Sequence, residues 1–304
     1  MTAQDSATLP SPIAVTGRPA ALSGTLVAAL GVVAFSLTFP ATAWGLESFG
    51  PWSLVSVRGT LAALVAGGVL LALRVRLPER RHWGSLAVVC AGVVVGFPLL
   101  TTLALETSTT SHAAVVVGLL PLATAGCAAV RTGRRPSPAF WLAAVAGAAV
   151  VVVFTVAESG GRFRSGDLYL LGALLVCAAG YTEGGRLARE IPGWQVAGWS
   201  LVLCLPLSLA GSAVALALEP VRLTAQGVTG LVWVATVSSF FGLYVWYRGM
   251  AAIGIARASQ LQLAQPLLTL VWSVALLGER LSPAAPLAAG GVLLCIAVTQ
   301  RARS

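Results

Sequence analysis

Apolar stretches of about twenty residues recur along almost the whole chain, and they limit its fold more than any other feature. Each can cross a hydrocarbon core of ~30 Å at ~1.5 Å of helix rise per residue. Ten are read, near residues 22–44, 52–73, 84–106, 111–130, 139–157, 168–187, 194–217, 227–250, 256–277 and 283–300. Composition agrees: 57% of residues are hydrophobic, 10% are charged, and the mean hydropathy is +0.89. A soluble chain of this length needs more charge to cover its surface. The expected fold class is all-α integral membrane, with ten transmembrane helices.

The formal charge of +9 could suggest nucleic acid, but its distribution argues otherwise. Every basic residue is arginine, and most fall in alternate loops: Arg74, Arg76, Arg80 and Arg81; Arg131, Arg134 and Arg135; Arg186 and Arg189; Arg248 and Arg257; Arg301 and Arg303. The intervening loops hold Arg162, Arg164, Arg222 and Arg280. The positive-inside rule then places both termini in the cytoplasm of a multi-pass cell-membrane protein. A nucleic-acid surface would be a contiguous basic patch, so no nucleic-acid partner is expected. Residues 1–21, rich in Pro, Ser and Thr, read as a disordered cytoplasmic tail. The five cysteines are scattered through apolar runs without metal-ligand or redox spacing, and they read as small buried residues.

Shifting the chain by 145 residues exposes an internal repeat. Pro121-Leu122-x-Thr124 falls on Pro266-Leu267-x-Thr269, and Gly133-x-Arg135-x-Ser137-Pro138 falls on Gly278-x-Arg280-x-Ser282-Pro283. Residues 22–157 and 166–301 thus form two halves of five spans each. Five is odd, so corresponding helices cross in opposite directions. Inverted repeats of this kind are the architecture of secondary transporters, with substrate held near the midplane between the halves.

The segment "YRGMAAIGIARASQL", followed by Pro266 and "LLTLVWSVALLGERLSPAAPLAAGGVLL", resembles the EamA repeat of the drug/metabolite transporter superfamily. So do "LALETSTTSHAAVVVGLLPL" and Arg58 within "SLVSVRGTLAAL" in the first half, although Arg134 stands where the family often has the Glu of "GE". The resemblance covers nearly the whole chain. It implies ten helices, cytoplasmic termini and movement of small organic solutes, often export of amino acids or other metabolites.

Candidate site residues follow from helical spacing. In the ninth span Ser259, Gln262, Pro266, Thr269 and Ser273 share one face, and Gln265 borders it. Pro266 cannot donate to the Gln262 carbonyl and favours a kink, which lipid tolerates where protein or a wet cavity covers the freed group. Interhelical hydrogen bonding is the alternative role. Thr38 and Thr42, with Pro40 between them, mark the first span; Thr102 and Glu106 share a face of the third. Tyr181 lies on the sixth, opposite Phe35 when the halves are superposed. Ser238, Ser239, Tyr244 and Arg248 lie on the eighth. Arg58, about two turns into the second span, is a lone intramembrane charge, with Glu106 and Glu47 as the available ion-pair partners or a substrate carboxylate as the functional one. For proton coupling the carriers reduce to Glu106, His112 and Glu183. No carboxylate sits at mid-depth, so a facilitator running down a metabolite gradient is a second option.

The expected function is a secondary transporter of small organic solutes, a metabolite or amino-acid exporter working by alternating access. Spans one, three, four, six, eight and nine are expected to line its site. The expected partners are a small-molecule substrate and membrane lipids, with a homodimer left open. The alternative is an integral-membrane enzyme or facilitator acting on lipid-like substrates. No clustered carboxylates, HExxH, GxSxG, Walker loop or GxGxxG supports catalysis, and no cofactor is expected.

Overall fold

The computed structural model describes residues 18–133, 137–158, 164–253, 261–262 and 264–301. Every regular element among them is helical. Seven helices are long and apolar enough to cross a bilayer: α1 (Gly24–Leu46), α2 (Pro51–Ala72), α3 (Arg80–Leu105), α4 (Thr110–Arg131), α6 (Ser165–Leu187), α7 (Gly193–Leu218) and α8 (Ala225–Trp246). Three shorter apolar helices are α5 (Trp141–Ala157), α9 (Ala264–Leu277) and α10 (Ala284–Val298). The first helix is traced from Arg18, so the end of the expected disordered tail is helical.

Local chemistry sets the helix ends. Pro51 opens α2 after an extended Gly50, the first-turn position where a missing N–H costs nothing. Thr109 and Thr224 are N-caps of α4 and α8; their hydroxyls accept from His112 N–H and Gly227 N–H at 3.2 and 3.0 Å. Gly133 and Gly278 follow the fourth and ninth helices with φ of 65° and 66°, a conformation that favours glycine. Positions repeated in the sequence therefore perform the same turn. The interiors match as well: α3 carries a π-helical segment at Cys90–Gly96 and α8 one at Trp233–Phe241, aligned under the same shift to within two residues.

Small residues allow close helix approach, which is how helices associate in lipid. Helix α2 runs along α7, α1 along α8, α5 against α10, and both α3 and α4 against α6. A Cβ on Gly249 would lie 2.4 Å from Ala28 N, and one on Gly59 would lie 3.1 Å from Ser208 Cβ. The largest buried cluster joins Ala113–Val117 of α4 with Phe154, Leu170, Val292 and Ile296.

Polar contacts define the two ends of the bundle. At one end Glu219 receives the N–H groups of Trp52 and Ser53 at 3.2 and 2.7 Å, capping α2. At the same end Glu279 caps α4. At the other end Glu183 pairs with Arg131 and Arg186 at 2.8 and 3.0 Å, and Glu190 with His82 at 3.0 Å. Helix α4 thus starts beside Glu279 and finishes with Arg131 beside Glu183. The turns at Gly278 and Gly133 lie at opposite ends of it.

Candidate functional site

Among the described residues, two of the cavities between helices differ in their polar chemistry. The larger, about 440 Å³, lies between α2, α3 and α7. Its hydroxyls and its carboxylate are bonded within the protein. Ser56 Oγ donates to Trp52 O at 2.6 Å, Ser208 Oγ to Leu205 O at 3.2 Å, and both Glu219 oxygens accept backbone N–H groups.

The smaller cavity, about 310 Å³, is lined by Phe39 of α1, a stretch of α4 from Ala114 to Ala128, Tyr181 of α6, Gln262, Gln265, Pro266 and Thr269, and Leu293 and Ile296 of α10. Among the described residues no charged side chain lines it. The amides of Gln262 and Gln265 make no hydrogen bond to a described residue, and Thr124 Oγ1 is buried without a partner. Pro121 and Pro266 both line the cavity, as do Val117 and Gln262, the residues four positions back to which a proline offers no N–H. Polar side chains without a described partner thus reach this cavity from both halves of the chain. This smaller cavity is the candidate solute site.

Of the sequence-predicted residues, Gln262, Gln265, Pro266, Thr269 and Tyr181 come together in this cavity. Thr269 is turned inward: its hydroxyl donates to Ser36 O at 2.9 Å and Gln265 O at 3.0 Å. Ser259 lies outside the described residues. The remaining residues sit elsewhere. Thr38 Oγ1 is 2.6 Å from Ser238 Oγ, and Thr42 donates to Thr38 O at 2.7 Å, so these hydroxyls join α1 to α8 and bond α1 to itself. Thr102 is buried and donates to Pro98 O at 2.6 Å. Ser239 donates to Val234 O at 2.6 Å, five residues back, as π-helical spacing requires. Tyr244 packs edge-on against Trp194, ring centroids 6.0 Å apart, and Arg248 is exposed.

Several expectations are corrected. Arg58 is buried, but no described carboxylate lies within 4.0 Å of it; its Nε donates to Ser239 Oγ at 3.4 Å. Glu47 and Glu106 are exposed at helix ends, where water solvates them better than a buried partner would. Helices α3 and α8 do not line the cavity, whereas α10 does, through Leu293 and Ile296. Apolar wall residues carry no polar signal in sequence.

His112 Nε2 lies 2.8 Å from Asp167 Oδ1, and its ring stacks on Phe154 at 5.2 Å. Asp167 also accepts from Arg164 N at 2.8 Å. Beside this pair Glu279 takes Thr110 N–H at 2.8 Å, Thr110 Oγ1 at 2.6 Å, Ser111 N–H at 3.1 Å and the Ser111 hydroxyl. Thr110 Oγ1 also lies 2.6 Å from Ser273 Oγ. Helices α4 and α9 are thus tied together at the Glu279 end and separate around the cavity further along. The paired Ser-Thr at the start of α4 and the acid after Gly278 were the available sequence signal for a cap.

A profile of the EamA-like transporter family matches residues 22–156 and again residues 164–300. The chain is 42% identical over 275 residues to a Bacillus subtilis (strain 168) protein named uncharacterized transporter YdeK, covering 90% of this chain and 95% of that one. It is 27% identical over 262 residues to a probable terminal-alkyne amino-acid exporter of Streptantibioticus cattleyicolor, covering 82% and 84%. A solved crystal structure with 22% sequence identity superposes with a TM-score of 0.64, covering 91% of this chain and 96% of the other, and shows the shared fold. Two successive matches spanning nearly the whole chain, on a bundle of apolar helices, establish that this multi-pass membrane protein belongs to the EamA-like transporter family.

Proposed function

We propose that this chain is a secondary transporter exporting small organic solutes of the amino-acid or related metabolite kind, by alternating access between two oppositely oriented five-helix halves. The observation that carries this reading is the cavity flanked by Pro121 of α4 and Pro266 of α9, which among the described residues is lined by no charged side chain and holds the amides of Gln262 and Gln265. Inversion is supported by the matched glycine turns at opposite ends of α4 and by the matched π segments. The Arg131, Arg186 and Arg81 end is assigned to the cytoplasm of the cell membrane by the positive-inside rule. Glu279 then closes the outer end, and the cavity belongs to an inward-facing arrangement. The exporter named for the S. cattleyicolor relative supports an amino-acid substrate. Among the described residues no carboxylate lines the cavity, which favours flux down a solute gradient over a proton carried at the site itself.

The test is solute flux in proteoliposomes. Gln262→Ala and Gln265→Ala each remove hydrogen-bonding groups from the cavity and should slow flux about tenfold, the equivalent of ~1.4 kcal/mol, with insertion unchanged. Full flux in both variants would remove these residues from the pathway.

A further inference from the structure

The loop joining α2 to α3 carries chemistry that the solute cavity does not use. It lies at the arginine-rich end, where Arg81 meets Glu79 at 2.9 Å and Glu190 at 3.7 Å. Helix α2 stops there in a hydrogen-bonded turn: Arg74 N–H donates to Leu71 O at 3.0 Å and Val75 N–H to Leu70 O at 2.9 Å. Val75 packs into the cluster around Leu70, Leu86 and Trp199. This pattern of bonds puts a left-handed residue, ordinarily glycine, at the position of Arg74. Gly133 and Gly278 fill that role after α4 and α9. Arg74 takes it with φ of 50°, the one non-glycine of positive φ among the described residues. A Cβ in that region strains the backbone, and such strain persists where the side chain serves a purpose.

The surroundings indicate that purpose. Arg74, Arg76 and Arg80 are exposed, and among the described residues no carboxylate lies within 4.0 Å of any of them. Interleaved with them stand Leu73 and Leu77, 58% and 73% exposed. Cations and leucines thus alternate on a segment linking two membrane-crossing helices, Pro51–Ala72 and Arg80–Leu105, where the chain leaves the hydrocarbon. A soluble acidic partner would satisfy the charges and leave the leucines in water. An anionic phospholipid satisfies both: its phosphate takes guanidinium hydrogen bonds, and its acyl chains cover the leucines. We infer that residues Leu73 to Arg80 form a docking surface for anionic phospholipid in the leaflet at this end, with Arg74, Arg76 and Arg80 as the phosphate contacts. The surface is independent of the solute carried.

The experiment reads the lipid beside the loop. A fluorophore is placed on Ala72→Cys, an exposed position at the end of α2, in the full chain lacking its native cysteines. The protein is reconstituted in phosphatidylcholine vesicles containing brominated phosphatidylglycerol or brominated phosphatidylcholine, and quenching gives the relative binding of the two lipids. At about fivefold per arginine, the parent should prefer phosphatidylglycerol by about tenfold or more, and high salt should shrink the preference. Replacing Arg74, Arg76 and Arg80 together by Gln should remove most of it, whereas replacing all three by Lys should keep most of it. Arg74→Gly alone should unfold no lower than the parent in pure phosphatidylcholine, since the strain is gone, while its lipid preference drops about fivefold. Absence of a phosphatidylglycerol preference in the parent overturns the inference and leaves the charge for a soluble acidic partner. A preference that the glutamine variant retains overturns it as well. So does Arg74→Gly unfolding at a lower temperature with its preference unchanged, because Arg74 would then serve only to cap α2.

Discussion

Replacing Glu279 by Ala should unlatch the end of the bundle that Glu279 closes. The carboxylate accepts from two backbone N–H groups and two hydroxyls at the start of α4, all on the far side of the helix interface from its own chain segment. A hydrogen bond to a charged group contributes about 1.5–3 kcal/mol, and an N-cap contributes about 1 kcal/mol. These terms share one group and do not add, so about 3 kcal/mol is a reasonable total. If the contacts exist in the closed arrangement and not in the open one, the open population rises on the order of a hundredfold at ~1.4 kcal/mol per decade. The reporter is a cysteine at Ala113, fully buried one turn below Thr110, in a background lacking the native cysteines. Labelling by a membrane-impermeant thiol reagent from the arginine-poor side should accelerate tenfold to a hundredfold in Glu279→Ala and about tenfold in Glu279→Gln. Unchanged labelling in both variants, with a lowered melting temperature, would refute the reasoning. Glu279 would then support the fold equally in every state.

Glycine contacts give a paired expectation. Gly230→Val should cost about 1–3 kcal/mol or more, because a Cβ there would meet Ala41 O at 2.3 Å and Gly45 N at 2.7 Å; Gly68→Ala, in open space within α2, should gain up to about 1 kcal/mol. Thermal unfolding in detergent compares the two, and equal shifts would show that close packing of α1 on α8 is not what Gly230 serves. At the arginine-rich end the His82 hydrogen bond, aided by the Arg81 charge, holds the Glu190 carboxyl below its ordinary range against the opposing effect of desolvation. A depressed folded value makes its contribution complete at neutral pH and lost as pH falls below about 4.3. The melting-temperature gap between parent and Glu190→Gln should therefore close on acidification, and a constant gap would contradict it.

Hydropathy predicts where helices run because lipid demands long uninterrupted apolar segments, and each predicted run overlaps an apolar helix among the described residues. The face bearing Gln262, Pro266 and Thr269 was legible too, since a period of 3.6 residues groups side chains on one helix. The same period does not say which helices meet. Leu293 and Ile296, Thr124 as an orphaned hydroxyl, the His112–Asp167 pair and the Glu279 cap all depend on contacts between distant segments. Arg58 shows the reverse case. Its intramembrane charge was evident, but its Ser239 partner lies in a π-helical stretch whose register a 3.6 period misplaces.

The π-helical stretches of α3 and α8 also define a mechanical property. A wide turn holds one residue more than the ordinary winding, so each of these helices stores a rung that can migrate along the backbone by exchanging neighbouring hydrogen bonds. Such migration rotates the side chains it passes by ~100° while leaving the flanking turns intact. In α8 that swing would carry Ser238 away from Thr38 and Ser239 away from Arg58, undoing two inter-helix ties without unfolding anything. Deleting one residue between Trp233 and Phe241 would remove that freedom, leaving a stiffer rod with a single fixed orientation.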